Sequence, residues 1–144
     1  MAATQIDVEH IFTLTATIGD ASNAMIRNGP AGTRVTAPVS GGTFEGERLK
    51  GKIVLPAGDW VSMRANRVMK LDVRLQLVTD DGEAILMTYQ GIGKPDADGV
   101  NHIRSAPTFE ASDDGDYAWL NEIQAIGVGV STGGSVTYEV YAVK

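Results

Sequence analysis

The chain has 144 residues, 43% of them hydrophobic and 21% charged, so it can bury a core, and we expect a single domain over residues 1–144. A net charge of −6 argues against nucleic acids and anionic membrane surfaces as partners. Cysteine is absent, which excludes disulfides, thiolate catalysis and cysteine-bound metal sites. Because neither a secretory signal nor an apolar run of membrane-spanning length is recognisable, we expect a cytoplasmic protein.

The first predicted strand runs from Ile6 to Ile18, where apolar residues at even positions alternate with mostly polar ones. His10 is the one polar residue on the apolar face of this strand. A second long strand is expected from Arg34 to Glu45. The Gly41-Gly42 pair within it predicts a bulge or a sharp bend.

In the middle of the chain we expect strands at residues 49–55 and 60–63, separated by a turn at Pro56-Ala57-Gly58. Residues 68–79 alternate cleanly, and Asp81-Gly82 after them is a strong hairpin signal. One face of that strand carries Met69, Leu71, Val73, Leu75 and Leu77, and the other carries Lys70, Asp72, Arg74 and Gln76. Further strands are predicted at residues 85–92, 103–110, 119–130 and 136–143.

This succession of elements predicts an all-β fold with little helix. About eight to ten strands joined by short turns are typical of an antiparallel barrel or sandwich. We favour a single antiparallel β-barrel, because long strands and glycine bends suit closure and closure removes exposed strand edges.

A two-residue turn at Asp81-Gly82 would place Arg74 opposite Tyr89, with Asp72 on the same face of the sheet. A change of one residue in this register would move Tyr89 to the other face. Two interpretations of the Asp72 face stay open. It is either a solvated outer surface with ordinary cross-strand pairs or a polar wall of the barrel mouth.

The last predicted hairpin turns at Gly133-Gly134, which puts Tyr138 opposite Gly129 and Val140 opposite Gly127. Trp119 and Asn121 would share a face with these glycines if the strand begins at Trp119. Small residues there leave room for a cavity or for a close aromatic neighbour.

Ordered short motifs along nearly the whole chain resemble the domain-of-unknown-function 3237 family. The motifs are Gly41-Gly42-Thr43, Gly46-Glu47-Arg48-Leu49-Lys50-Gly51, Gly58-Asp59-Trp60, Leu71-Asp72-Val73-Arg74, Phe109-Glu110 and Tyr117-Ala118-Trp119-Leu120-Asn121. The resemblance implies an antiparallel β-barrel, lipocalin-like in outline, with no generally assigned activity. Its recurrent polar and aromatic positions correspond here to Asp59, Trp60, Asp72, Arg74, Tyr89, Arg104, Tyr117, Trp119 and Asn121.

The expected grouping of Asp72, Arg74 and Tyr89 suggests acid–base catalysis. The Asp would act as a base, the Arg would bind an enolate or carboxylate, and the Tyr would donate to an oxyanion. These roles fit a cofactor-free isomerase, cyclase or lyase that acts on a small cyclic or aromatic carbonyl compound. The plainer interpretation is a structural salt bridge beneath a tyrosine hydroxyl.

Five more residues are expected to contact the substrate: His10, Trp60, Arg104, Trp119 and Asn121. Trp119 with Asn121 would provide a flat wall and an amide. We expect no metal, because the two histidines are far apart in sequence and lack a carboxylate partner at a known spacing. We expect no nucleotide cofactor, because no Gly-x-Gly-x-x-Gly follows a strand and opens a helix.

Two alternatives to an enzyme stay open. The same cavity could serve a non-catalytic carrier or sensor of an apolar metabolite. The protein could instead be structural, with oligomerisation covering a second apolar sheet face. Exposed apolar strand faces favour a homo-oligomer, a dimer or larger.

Overall fold

The computed structural model describes residues 2, 4–20 and 25–144. The described residues form ten strands and a short 3-10 helix. The elements are β1 (Val8–Ile18), β2 (Ile26–Gly29), β3 (Gly32–Glu45), β4 (Lys50–Met63), β5 (Met69–Thr79), β6 (Ala84–Pro95), β7 (Asn101–Ser105), β8 (Thr108–Glu110), the 3-10 helix (Ala118–Glu122), β9 (Ala125–Ser131) and β10 (Ser135–Val143). Within these residues no helix has the length and apolar character of a membrane span.

Eight of the described strands close into an antiparallel barrel. They follow the order β1-β10-β9-β7-β6-β5-β4-β3, and β1 also pairs with β3, which joins the two ends of the sheet. Strand β2 pairs with β3, and β8 pairs with β6 beyond the end of β7. The predicted all-β antiparallel barrel is therefore confirmed.

The two faces of β5 are the ones that its alternating sequence predicts. Leu71, Val73, Leu75 and Leu77 are buried inside the barrel. Lys70 and Arg74 are exposed and Asp72 is half-buried, so the Asp72 face is the outer surface of the barrel. Of the two interpretations of this face, the outer surface is the one that the structure supports.

Strand β4 runs without a break through residues 56–58, so the turn expected at Pro56-Ala57-Gly58 is wrong. The register of β4 against β5 shifts by two residues between Val54 and Gly58, so β4 contains a bulge with two extra residues. The Gln76 side-chain amide donates to the Pro56 carbonyl at 2.9 Å and so satisfies one backbone group that the bulge frees. Turn-forming residues therefore mark a bulge inside one long strand.

The bend expected at Gly41-Gly42 is confirmed, because the register of β3 shifts there against both β1 and β4. At Gly42 a side chain would overlap the Thr15 carbonyl oxygen of β1. The two strands can therefore approach each other only because this residue is glycine. Beyond the glycines β3 keeps β4 as one neighbour and has β1 as the other, which completes the barrel.

His10 does not lie on the inner face of β1. The register between β1 and β10 shifts between His10 and Phe12, so that Ile11 and Phe12 are both buried. This bulge reverses the alternation on its N-terminal side and turns His10 to the outer surface. The sequence pattern, read as unbroken, placed it inside.

The strand expected over residues 119–130 begins only at Ala125. Residues 118–122 form the 3-10 helix, whose Leu120 is fully buried against one end of the barrel. The strand expected over residues 103–110 is likewise divided into β7 and β8, with Pro107 between them. Because proline has no amide hydrogen, Pro107 cannot donate a hydrogen bond to a neighbouring strand, and the pairing is interrupted between β7 and β8.

The barrel core is filled in one half only. We call the end that carries the Asp81-Gly82 turn and the 3-10 helix the closed end, and the opposite end the open end. In the closed-end half Phe12 packs against Phe44 and Phe109, with ring centroids 5.5 and 5.9 Å apart. In the open-end half the inner face carries smaller residues such as Ala16 and Ala37, and a cavity lies there.

Candidate functional site

The open-end half of the barrel encloses a cavity of about 180 Å³. Its walls are mainly aliphatic, and none of the described residues that line it is Lys, Arg or His. Its polar side chains are Asp59, Tyr89, Asn101, Ser131 and Tyr138. A mostly apolar cavity with a few converging polar groups is the usual form of a small-molecule site.

Asp59 is the ionisable carboxyl of this cavity, and only 8% of the residue is exposed. It lies just after the bulge of β4, where its Cα faces Val73 of β5. One carboxylate oxygen, Oδ1, accepts a hydrogen bond from the backbone amide of Asp72 at 3.0 Å. The bulge and the sheet therefore hold this carboxyl in place at the cavity wall.

Burial raises the pKa of Asp59 from 3.8 to about 6, because the apolar surroundings disfavour the charged form. The hydrogen bond from the Asp72 amide opposes this change, and the negative charge of Asp72 on the outer surface adds to it. Near neutral pH the carboxyl can therefore gain and lose a proton readily, as an acid–base group must.

Tyr89 and Tyr138 meet where the cavity ends against the filled core. Their rings pack edge to face, with centroids 5.4 Å apart. Burial raises the pKa of both hydroxyls, and the negative charge of Asp59 contributes for each. The two phenols are consequently neutral near pH 7 and able to donate hydrogen bonds near the carboxyl.

The Tyr138 ring fits because of the small residue opposite. Tyr138 faces Gly129 across β9 and β10, as predicted, and a Cβ at Gly129 would overlap the ring. Of the two uses expected for the small residues of β9, the structure shows the close aromatic neighbour. The Tyr138 hydroxyl is buried and has no hydrogen-bond partner.

Tyr89 is inside the barrel because the predicted register is wrong by one residue. Arg74 faces Thr88, and Val73 faces Tyr89. The hairpin loop has three residues, 80–82, closed by the Thr79 amide donating to the Glu83 carbonyl at 2.9 Å. Gly82 adopts a φ of 92° at its end, as in a type I turn that finishes in a left-handed residue.

The structure therefore does not bring Asp72, Arg74 and Tyr89 together. Asp72 and Arg74 point outward, while Tyr89 points into the cavity. Arg74 lies 5.8 Å from the ring centroid of Trp60, and both line a groove on the outer surface next to Pro56. The catalytic roles expected of Asp72 and Arg74 stay predictions without a shared cavity behind them.

The other expected substrate contacts lie elsewhere. His10 is on the outer surface, 3.2 Å from a Glu139 carboxylate oxygen. Arg104 is exposed and donates to the Ile103 carbonyl. Neither residue lines the cavity.

Trp119 and Asn121 belong to the 3-10 helix at the closed end. The Arg48 guanidinium stacks on the Trp119 ring at 3.7 Å. The Asn121 side chain accepts from the Ala111 amide at 2.7 Å and donates to its carbonyl at 2.9 Å. Asn121 thus joins the helix to the loop after β8, and Trp119 joins it to the loop between β3 and β4. Both residues have a structural use away from the cavity.

Asp59 is the site residue that sequence reasoning left out of its catalytic set. It stood among the positions implied by the family resemblance, beside Trp60. The expected turn at residues 56–58 hid the continuity of β4, and with it the inward direction of Asp59. Among the described residues no three His, Asp or Glu side chains are grouped to hold a metal ion.

A model of the family described as a protein of unknown function, DUF3237, matches residues 6–143. The chain belongs to the DUF3237 family. A UPF0311 protein of Rhodopseudomonas palustris strain TIE-1 is 28% identical over 96% of this chain and 97% of that protein. A UPF0311 protein of Bradyrhizobium diazoefficiens is 28% identical over 81% of this chain and 83% of that protein.

Crystal structures of similar proteins have the same fold. A β-barrel-like protein of Acinetobacter baumannii is 26% identical, with a TM-score of 0.86 over 99% of both chains. A conserved protein of unknown function from R. palustris is 24% identical, with a TM-score of 0.88 over 99% of this chain and 100% of that one. A Penicillium herquei protein described as an enzyme is 20% identical, with a TM-score of 0.76 over 100% and 98%.

Proposed function

We propose that this DUF3237 protein binds a small uncharged carbonyl compound in the open-end cavity and transfers a proton on it without a cofactor. The reaction would be an isomerisation, a cyclisation or a lyase step. The observation that carries the proposal is the buried carboxyl of Asp59 on the wall of an apolar cavity. A desolvated carboxyl in a cleft is a frequent acid–base catalyst.

The proposed chemistry needs one proton acceptor and one hydrogen-bond donor. The Asp59 carboxylate removes a proton from a carbon next to the carbonyl or from a ligand hydroxyl, and then returns it to another atom of the ligand. Tyr89 donates a hydrogen bond to the oxygen on which negative charge develops. Isomerisation and cyclisation balance in this way, because the proton that leaves the substrate is the one returned to the product. A lyase step balances when the proton is returned to the leaving group, whose bond to carbon breaks as the new double bond forms.

Size and charge limit the ligand. A cavity of about 180 Å³ suits a compound built on one ring, since a dry cavity of similar volume can hold benzene. Since no cationic side chain is among the described residues of the walls, an anion would meet the Asp59 carboxylate without compensation. The cyclic or aromatic carbonyl compounds expected from the sequence stay the proposed class.

The test is a screen of single-ring ketones and hydroxyketones by thermal shift, with each hit followed for turnover by mass spectrometry and, for isomers, by NMR. The decisive variant is Asp59→Asn, which keeps an oxygen to accept from the Asp72 amide. The matched control is Asp72→Asn, which makes the same change on the outer surface. We expect at least about 100-fold loss of turnover in Asp59→Asn and little change in the control.

The reverse result, with Asp72→Asn and Arg74→Ala inactive and Asp59→Asn active, would return the catalytic role to the outer surface. A ligand that binds the wild type but is never converted would favour the carrier or sensor. The aliphatic walls of the cavity are the observation behind that second candidate. If no compound binds, the proposal fails.

The expected homo-oligomer stays a prediction. Its support is the outer face of β9, where Ile126, Val128 and Val130 are more than a third exposed. Analytical ultracentrifugation of the wild type and of Val128→Lys would test it. A monomeric wild type would refute the expectation.

A further inference from the structure

We infer that the Tyr138 hydroxyl is the donor by which the cavity selects ligands that carry a hydrogen-bond acceptor. This inference rests on the proposed function, because it concerns a ligand of the same cavity. It goes beyond the roles of Asp59 and Tyr89, since it assigns a specificity-determining residue that the proposed proton transfer does not require.

The structural reason is an unsatisfied polar group at the cavity. Tyr138 lines the cavity and is 1% exposed, and its hydroxyl has no hydrogen-bond partner. The Tyr89 hydroxyl is near enough to change the pKa of the Tyr138 hydroxyl. The two hydroxyls are nevertheless not within hydrogen-bond distance and geometry of each other. The ring itself is held on both sides, by Gly129 opposite and by the Tyr89 ring edge to face.

A buried hydroxyl without a partner destabilises the fold, because it has lost water and gained nothing in exchange. Phenylalanine would fill the same space without that cost. The hydroxyl becomes favourable once an acceptor reaches it. Because Tyr138 lines the cavity, a bound ligand is the neighbour that can supply the acceptor.

The neighbouring carboxyl narrows the class of ligand. Above the Asp59 pKa of about 6, its carboxylate can only accept hydrogen bonds. A ligand with both a hydroxyl and a carbonyl can then donate to Asp59 and accept from Tyr138. We therefore assign the cavity to uncharged single-ring compounds in which a carbonyl or ether oxygen faces Tyr138.

The test uses two probes of nearly equal shape: cyclohexanone, which has a carbonyl oxygen, and methylenecyclohexane, which has a CH₂ group in its place. Binding is measured by NMR titration at pH 8, where the Asp59 carboxyl cannot donate. Tyr138→Phe should bind the ketone about tenfold more weakly than the wild type does, as the loss of one hydrogen bond allows. Binding of the hydrocarbon should be the same in both proteins, because it has no acceptor for the hydroxyl.

Ser105→Ala is the matched control. Ser105 also has a buried hydroxyl without a partner, but it does not line the cavity. This variant should bind the ketone as tightly as the wild type does. Weaker ketone binding in both variants would mean that removal of any buried hydroxyl disturbs the cavity, and would overturn the inference.

A stability measurement separates a ligand-directed hydroxyl from a structural one. Without ligand, Tyr138→Phe should unfold at the same temperature as the wild type or at a higher one, whereas a structural hydroxyl would make the variant less stable. Ketone binding that is unchanged in Tyr138→Phe, or hydrocarbon binding that weakens to the same extent, would overturn the inference and leave the proposed function standing. Failure of both probes to bind would count against the proposed function itself.

Discussion

The two halves of this barrel are built from the same strands yet differ in what fills them. Along β1, Phe12 lies in the filled closed-end half, whereas Ala16, two residues beyond Leu14, lies beside the cavity. Along β3, Phe44 lies in the filled half and Ala37 lies beside the cavity. The volume of the inward side chains therefore decides where this barrel is hollow, while the strands continue through both halves.

The halves also differ in polarity. The closed-end half is packed with aliphatic and phenylalanine side chains and sealed by Leu120 of the 3-10 helix. The open-end half contains Asp59 and reaches Tyr138, a carboxyl and a hydroxyl that cost stability in the empty protein. The filled half thus stabilises the barrel, while the polar groups of the other half are arranged for a ligand at a cost in stability. Such a trade-off between stability and function is common in proteins.

The largest expected effect is on the free energy of unfolding, when leucines of β5 in the two halves are replaced by alanine. Leu75 and Leu71 both point inward from β5, but only Leu71 lines the cavity. We expect Leu75→Ala to lower the free energy of unfolding by about 4 kcal/mol, and Leu71→Ala by about 3 kcal/mol or less. The first leaves a new void in a filled core, while the second enlarges a cavity that already exists.

Urea denaturation of both variants measures this difference, and Leu77→Ala provides a second site in the filled half. Equal losses for Leu71→Ala and Leu75→Ala would show that the two halves are packed alike. The distinction between a filled and a hollow half would then have to be abandoned.

The next largest expected effect is the pH dependence of stability that the Asp59 carboxyl causes in the hollow half. The pKa of Asp59 rises on folding from 3.8 to about 6, so the folded state holds this proton more tightly than the unfolded state. The contribution of Asp59 to stability is therefore complete below pH 4 and is lost as the pH rises through 6. At about 1.4 kcal/mol per pKa unit the loss approaches 3 kcal/mol.

The measurement is the free energy of unfolding of the wild type minus that of Asp59→Asn, followed from pH 4 to pH 8. This difference should fall across the range, because the amide has no proton to lose. Asp72→Asn serves as the control, since it removes a carboxyl from the outer surface and takes away only the smallest of the three influences on the Asp59 pKa. A difference that stays flat would place Asp59 in a water-exposed setting and remove the main support for its acid–base role.

A third comparison adds volume instead of removing it. Ala125 is fully buried in the closed-end half, and Ala37 lines the cavity. Ala125→Leu should cost about 2 kcal/mol, because a filled core can take extra methylene groups only with strain. Ala37→Leu should cost less than about 1 kcal/mol and should weaken ligand binding, because the new side chain occupies the cavity.

Urea denaturation gives the two stabilities, and NMR titration with cyclohexanone gives the binding. If Ala37→Leu bound the ketone as tightly as the wild type, the ligand would have to occupy some other part of the molecule. The outer groove beside Trp60 would then become the next region to map.

The alternation of apolar and polar residues along the strands was enough to predict most of the fold. Because a barrel interior excludes water, the period-two pattern of β5 had to match its buried face, and it did. The irregularity at Gly41-Gly42 of β3 was also visible, since glycine pairs mark bulges and places where two backbones approach closely. The family resemblance pointed to the same architecture.

The site depended on details that alternation does not contain. One residue more in the 80–82 loop moved Tyr89 from the outer surface to the cavity. The bulge before Phe12 moved His10 the opposite way. Loop length and bulges are set by local hydrogen bonds, such as those of Thr79, and a period-two pattern cannot reveal them.

The smallest effect is expected on the outer surface, where the sequence had placed the catalytic group. The Arg74 guanidinium lies 5.8 Å from the Trp60 ring centroid, and Trp60 is 39% exposed. A solvated cation–π pair of this kind contributes about 0.5 kcal/mol. Arg74→Ala should therefore change the free energy of unfolding by less than about 1 kcal/mol, and it should leave ketone binding in the cavity unchanged.

A double-mutant cycle of Arg74→Ala with Trp60→Leu isolates the coupling between the two side chains, which urea denaturation can measure. A coupling near 0.5 kcal/mol with intact ketone binding would make this surface structurally minor and keep ligand recognition inside the barrel. Loss of ketone binding in Arg74→Ala would show that the outer surface reaches the ligand after all. The predicted roles of Asp72 and Arg74 would then regain support, and the contrast between the two halves would no longer account for where ligands bind.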